Sequence, residues 1–92
     1  MTEHATVDAI LNERGSRYGP FTGHADVTQK IKHAMSRGVS WHKLAPDQKE
    51  ALEMVAHKIG RIVNGDPNYD DSWVDIVGYV QLVVDRLHGK ER

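Results

Sequence analysis

"ALEMVAHKIGRIVNGDPNYDDSWVDIVGYVQLVVDRL", residues 51–87, decides the fold. Leu52, Val55, Ala56, Ile59, Ile62 and Val63 recur at helical spacing and form one apolar stripe, closed by Asn64-Gly65 as a helix end. Beyond the turn, Trp73, Ile76, Val77, Val80, Val84 and Leu87 form a second stripe, capped by Asp70, Asp71 or Ser72 and ended by Gly89. The linker "GDPNY" is short enough to force the two helices into an antiparallel hairpin, whose stripes are expected to meet in the centre of the core.

Working outward, Pro46 reads as the first residue of the earlier hairpin helix, with Asp47 in the first turn to complement the helix dipole. Upstream, Val27, Ile31, Ala34 and Met35 predict a helix that starts near His24 and ends at "SRGVS", with Gly38 just past its end. "RGSRYGPFTG", residues 14–23, holds three glycines and a proline in ten positions and reads as a loop. A first helix is expected from about Ala5 to Glu13, with Thr6 near its cap and Val7, Ile10 and Leu11 on one face. The fold class is therefore all-α, a small helical bundle in a single domain over residues 1–92. Within it, residues 1–22 hold the N-terminal helix and the RYG loop, and residues 23–92 hold the bundle.

A chain of 92 residues buries only about 60–65% of the surface its unfolded form exposes, and with no cysteine it has neither disulfides nor thiolate zinc sites to support it. Four apolar stripes exceed what one small core absorbs, so a homo-oligomer is expected. The Met1 start is followed by no basic n-region and no long apolar segment, and charges interrupt every apolar run well before the roughly 20 residues a membrane helix needs. The expected location is the cytoplasm of a bacterial host cell, with no membrane partner. Net charge is −1, from 12 basic and 13 acidic residues. It divides into +2 over residues 1–45 (six bases, four acids) and −3 over 46–92 (six bases, nine acids), too weak a field to predict duplex nucleic acid as a partner.

Asp75 and Tyr79 lie one turn apart beside the apolar stripe of the last helix, and Lys58 and Arg61 lie on the polar side of the helix before it. With the turn centred near residues 67 and 68, Asp75 falls opposite Gly60, within reach of Arg61, Lys58 and His57. These residues either pair across a close Gly60–Gly78 contact or line a polar cleft that holds an anionic ligand such as a nucleotide phosphate. Arg14, Arg17 and Tyr18 of the RYG loop add two phosphate-binding cations and a stacking ring, with Phe21 as a second. As a plainer reading, Tyr18 and Phe21 are core plugs and the arginines are solvated. No metal or other cofactor is expected; were there a divalent ion such as magnesium, Glu50, Glu53 and His57, which stand on one helical face with oxygen and nitrogen donors, would be its candidate ligands. By the same register, Glu53 faces Leu82 rather than Asp75 and pairs with Arg86. The six histidines show no HxxxH or HExxH spacing, are expected mostly at the surface, and join no Ser-His-Asp or Cys-His arrangement.

"ERGSRYGPFTGHADVTQ" followed by "ALEMVAHKIGRIVNGDPNYDDSWVDIVGY" resembles a family of small uncharacterised phage and prophage proteins over nearly the whole chain. The second block is more distantly similar to the all-α nucleoside triphosphate pyrophosphohydrolases of the MazG type, which hold magnesium with EExxE on one helix and ExxD on the next. The resemblance places Asp75 at the aspartate of ExxD, with Ser72 where its glutamate would stand, and "LEMVAHK" keeps only Glu53 of the upstream motif. It implies a MazG-like architecture and a link to nucleotides. With the acidic motifs incomplete, it does not imply an active magnesium-dependent hydrolase. The expected function is a phage-encoded protein that binds or sequesters a nucleotide or nucleotide signal, in the manner of a degenerate pyrophosphohydrolase. The alternative is a phage inhibitor of a host defence protein acting through protein–protein contacts.

Overall fold

The computed structural model describes residues 3–92, with side chains from Thr6 onward, so that His4 lies outside the described side chains. The chain folds into four helices: α1 (Glu3–Tyr18), α2 (Phe21–Ser36), α3 (Pro46–Asn64) and α4 (Asp71–Leu87), with a short 3-10 turn over Trp41–Lys43 between α2 and α3. No strand occurs among the described residues.

Pro46 opens α3 as expected, and the Gln48 side chain accepts a hydrogen bond at 2.8 Å from the Ala45 N–H. That bond satisfies one of the donors that a helix start leaves unpaired. At the far end of the hairpin Gly89 takes a φ of +82°, and the Lys90 N–H donates to the Asp85 carbonyl at 2.8 Å. The left-handed turn suits glycine and stops α4.

The expected loop over residues 14–23 is a correction. α1 runs through Gly15 to Tyr18, the chain reverses in Gly19-Pro20, and α2 begins at Phe21 rather than near His24. Gly19 has φ +75° and its N–H still bonds to the Gly15 carbonyl, so it serves as the cap of α1. Gly19 and Gly23 both lie against Asn64, whose Nδ2 donates to the Tyr18 and Pro20 carbonyls at 2.9 and 2.8 Å. The Asp66 N–H donates to the Arg17 carbonyl at 2.8 Å, and Gly65 sits directly on the Arg17–Tyr18 backbone. Glycine is concentrated here because two chain reversals meet, not because the segment is a long loop.

α3 is the central helix, with α2 on one side and α4 antiparallel on another. Two ion pairs set the register of the hairpin, Lys58 with Asp75 at 2.8 Å and Arg86 with Asp47 at 2.7 Å. They lie eleven residues apart on each helix (47 to 58, 75 to 86), or about 16 Å, so a single register fits both. Gly60 does not meet Gly78. A Cβ on Gly60 would strike Thr28 and His24 of α2, whereas Gly78 has open space around it.

The expected central core is also a correction. Among the described residues, the apolar side chains that reach full burial are Ala51, Ala56 and Ile62, all on α3. Leu52 and Val63 are exposed, and so are Trp73, Val77, Val80, Val84 and Leu87 of the α4 stripe. On α1, Val7, Ile10 and Leu11 are exposed as well. The period of each helix is as read, but the two stripes meet only in part: Leu52 and Val55 face Val80 and Val84 across an open groove, and most of both stripes stays exposed. No helix among the described residues is long and apolar enough to cross a membrane.

Candidate functional site

The residues proposed from sequence as ligand-binding fall into three places. At the junction of the two chain reversals, Arg17 lies over the Tyr69 ring with its guanidinium 4.5 Å from the centroid, and Arg61 lies over the Tyr18 ring at 4.2 Å. The two rings are 6.1 Å apart and tilted. Each cation meets the negative face of a ring, a contact worth about 0.5–2 kcal/mol according to how dry it is. α1 supplies Arg17 and Tyr18 from its last turn, α3 supplies Arg61 one turn before its end, and the hairpin linker supplies Tyr69.

Arg17 is also held by Glu13 at 3.1 Å. Among the described residues, no carboxylate lies within ion-pair distance of Arg61 or of Arg14, which sits one turn back on α1. Arg61 is therefore a cation stacked on a ring, with donors left over for an incoming anion.

One helical turn along α3, Lys58 is buried and its ammonium pairs with the Asp75 carboxylate at 2.8 Å. Asp75 is thus set against Lys58, where sequence had left Arg61 and Lys58 both in reach. On the α2 side of the same helix, His24 is buried and its Nε2–H donates to the His57 carbonyl at 3.0 Å, with the two imidazoles edge to face at 4.5 Å. Burial first, and then the positive charge of Arg61, push His57 down to about 4. Burial also lowers His24. Both rings are neutral at physiological pH.

Tyr79 stands apart from this group. It lines a groove of about 690 Å³ between α3 and α4, together with Asp47, Glu50, Leu82 and Arg86. Arg86 bonds both oxygens of Asp47 and holds that carboxyl below the usual range. The expected pairing of Glu53 with Arg86 is therefore replaced by Asp47. The candidate metal ligands do not converge: Glu50 lines this groove, His57 packs on His24, and no cluster of three His, Asp or Glu among the described residues is placed to hold an ion.

Two members of the junction were absent from the sequence reading. Tyr69 was read only as part of a turn, and Asn64 only as a helix end. The signal that could have found them is the pairing of two glycine-marked reversals, Gly19-Pro20 and Gly65-Asp66-Pro67, each next to a tyrosine. His24 is one of the histidines that does not lie at the surface, and nothing in its sequence neighbours shows that Gly60 opens space for it.

No curated protein and no solved structure matches the chain. One family pattern, described as a domain of unknown function (DUF6378), covers residues 3–86, from the first turn of α1 to the last turn of α4 and including every residue of the junction. The chain belongs to the DUF6378 family.

Proposed function

We propose that the protein binds a nucleotide or a nucleotide-derived signal at the junction where the two chain reversals meet. The observation that carries this reading is the stack of Arg61 on Tyr18 and Arg17 on Tyr69, with Arg61 lacking a carboxylate partner among the described residues. Guanidinium groups meet phosphate in a planar, two-pronged geometry, and a tyrosine face stacks on a base without regard to its identity. Arg61 and Arg14 are the phosphate ligands in this reading, Tyr18 and Tyr69 are the base platform, and Arg17 is held in place by Glu13.

Binding rather than hydrolysis fits the residues. Asp75, the counterpart of a magnesium ligand in the MazG-type resemblance, is neutralised by Lys58, and Ser72 stands where that motif has its glutamate. A phage-encoded sequestering protein with a MazG-like helical hairpin is the form of the proposal.

Calorimetry with nucleoside triphosphates and cyclic dinucleotides tests it. Arg61→Ala is expected to weaken binding by about 1–3 kcal/mol, the range of charge-assisted hydrogen bonds. Tyr69→Leu should weaken it without changing the dependence on phosphate number. Failure of the wild-type protein to bind any of these ligands removes the proposal. The competing reading, an inhibitor of a host defence protein, draws on the exposed apolar face of α1 at Val7, Ile10 and Leu11. It requires a stoichiometric complex with such a protein that survives Arg61→Ala.

A further inference from the structure

The largest unexplained feature of the molecule is the outer face of α4. Trp73, Val77, Val80, Val84 and Leu87 are spaced by four, three, four and three residues, and all are between 37% and 68% exposed. That spacing is the seam of a coiled coil, which keeps one apolar line facing a partner helix. Val74, Ile76, Gln81 and Val83 flank it and carry no charge. Two residues of the seam, Val80 and Val84, with Val83 form one wall of an open apolar groove of about 230 Å³, whose other wall is Leu44, Leu52 and Val55, so the uncovered surface runs from the seam into the α3–α4 interface.

We infer that this face is covered by a second copy of the same chain, as a two-fold dimer in which the α3–α4 hairpins of both copies close into a four-helix bundle. Three observations select this occupant. The first is area: the chain exposes 6667 Å², against about 5,400 Å² expected for a compact protein of 10.4 kDa. The excess of about 1,300 Å² is more than the roughly 800 Å² that each partner of a standard interface loses. Extension agrees with area, since the radius of gyration is 15.6 Å where about 12 Å is expected for this length.

The second is stability. Among the described residues the fully buried apolar side chains are Ala51, Ala56 and Ile62, a small core for a chain of 92 residues, so a covering surface that is present whenever the chain is adds stability where it is short. A second copy meets that condition, and a partner met only occasionally does not. The third is self-complementarity: an uncharged apolar line meets its own two-fold image without like-charge repulsion, and a helical hairpin with one bare face is half of a four-helix bundle.

The absence of cysteine makes a clean test available. Val80 is the central residue of the seam, so a dimer that pairs the two seams over their whole length, parallel or antiparallel, has its two-fold axis at or along Val80 and brings it next to Val80 of the second copy. Light scattering at micromolar concentration should give twice 10.4 kDa, and the melting temperature should rise with chain concentration. Under mild oxidation Val80→Cys should run mostly as a covalent dimer, while Lys30→Cys on α2 should not. Val80→Cys nearly preserves size and polarity, so a failure to fold does not obscure the result. A folded species of 10.4 kDa with a melting temperature independent of concentration overturns the inference. So does an oligomer in which Val80→Cys links no better than Lys30→Cys, or a chain that folds only with a different protein.

Discussion

α3 is packed on two sides in opposite ways. Against α2 the contact is close and finished: Gly60 lets the helices approach, His24 reaches the His57 backbone, and Asn64 ties the end of α3 to the α1–α2 turn. Against α4 the contact is the more extensive of the two, its register fixed by two ion pairs eleven residues apart (47 to 58, 75 to 86), but open grooves run along it and much of the apolar seam is left exposed. A close interface made with glycine and small polar groups needs no further partner. An interface that leaves grooves and a bare seam has apolar surface still to be covered from outside.

The contrast is most readily broken at Gly60. Gly60→Ala should destabilise the fold by about 1–3 kcal/mol, because the added methyl strikes Thr28 and His24 and the cost of overpacking exceeds the roughly 1 kcal/mol gained in helix propensity. Chemical denaturation measures this, and a neutral result means that the α2–α3 approach is looser than it looks.

A smaller effect comes from pH, and it too reports on the α2 side alone. The unfolded chain protonates His57 near 6.5 and the folded chain only near about 4, so the contribution to stability is complete above about pH 6.5 and is lost as the pH falls towards 4. His24 shifts in the same direction. Melting temperatures recorded from pH 7.5 to 4.5 should fall across that window, and His57→Gln should flatten the slope.

The smallest effect is expected on the α4 side. Asp47 and Arg86 are open to solvent screening, so a double-mutant cycle on the pair should return a coupling close to zero despite its two-pronged geometry. A value well above that would show that the α3–α4 contact does not depend on being covered.

Much of this organisation was legible. The helix start at Pro46 and the antiparallel hairpin follow from capping chemistry, periodicity and a short turn, all of which act over a few residues, whereas which of Arg61, Lys58 and His57 meets Asp75 was settled only by the fold. The junction was legible only in part. Arg17, Tyr18 and Arg61 carry a signal of their own, but Tyr69 lies 51 residues from Tyr18 (18 to 69), and only the meeting of two reversals brings the rings together. Tyr79 was grouped with Asp75 because one turn separates them, yet it lines the groove nearer the other end of the hairpin.

The sequence by itself determined which segments are helical and which residues share a face of each, because 3.6-residue periodicity and helix caps are local properties of the chain. Only the tertiary structure decided which face meets which neighbour. Leu52, Val63, Val77 and Val80 are apolar at helical spacing and still lie outside, while His24, Thr28 and Lys58 are buried. The reason is steric and electrostatic. Gly60 gives α2 a close seat on α3, and the pairs Lys58–Asp75 and Asp47–Arg86 fix a register in which the α3 and α4 stripes flank an open groove and much of the α4 seam stays exposed.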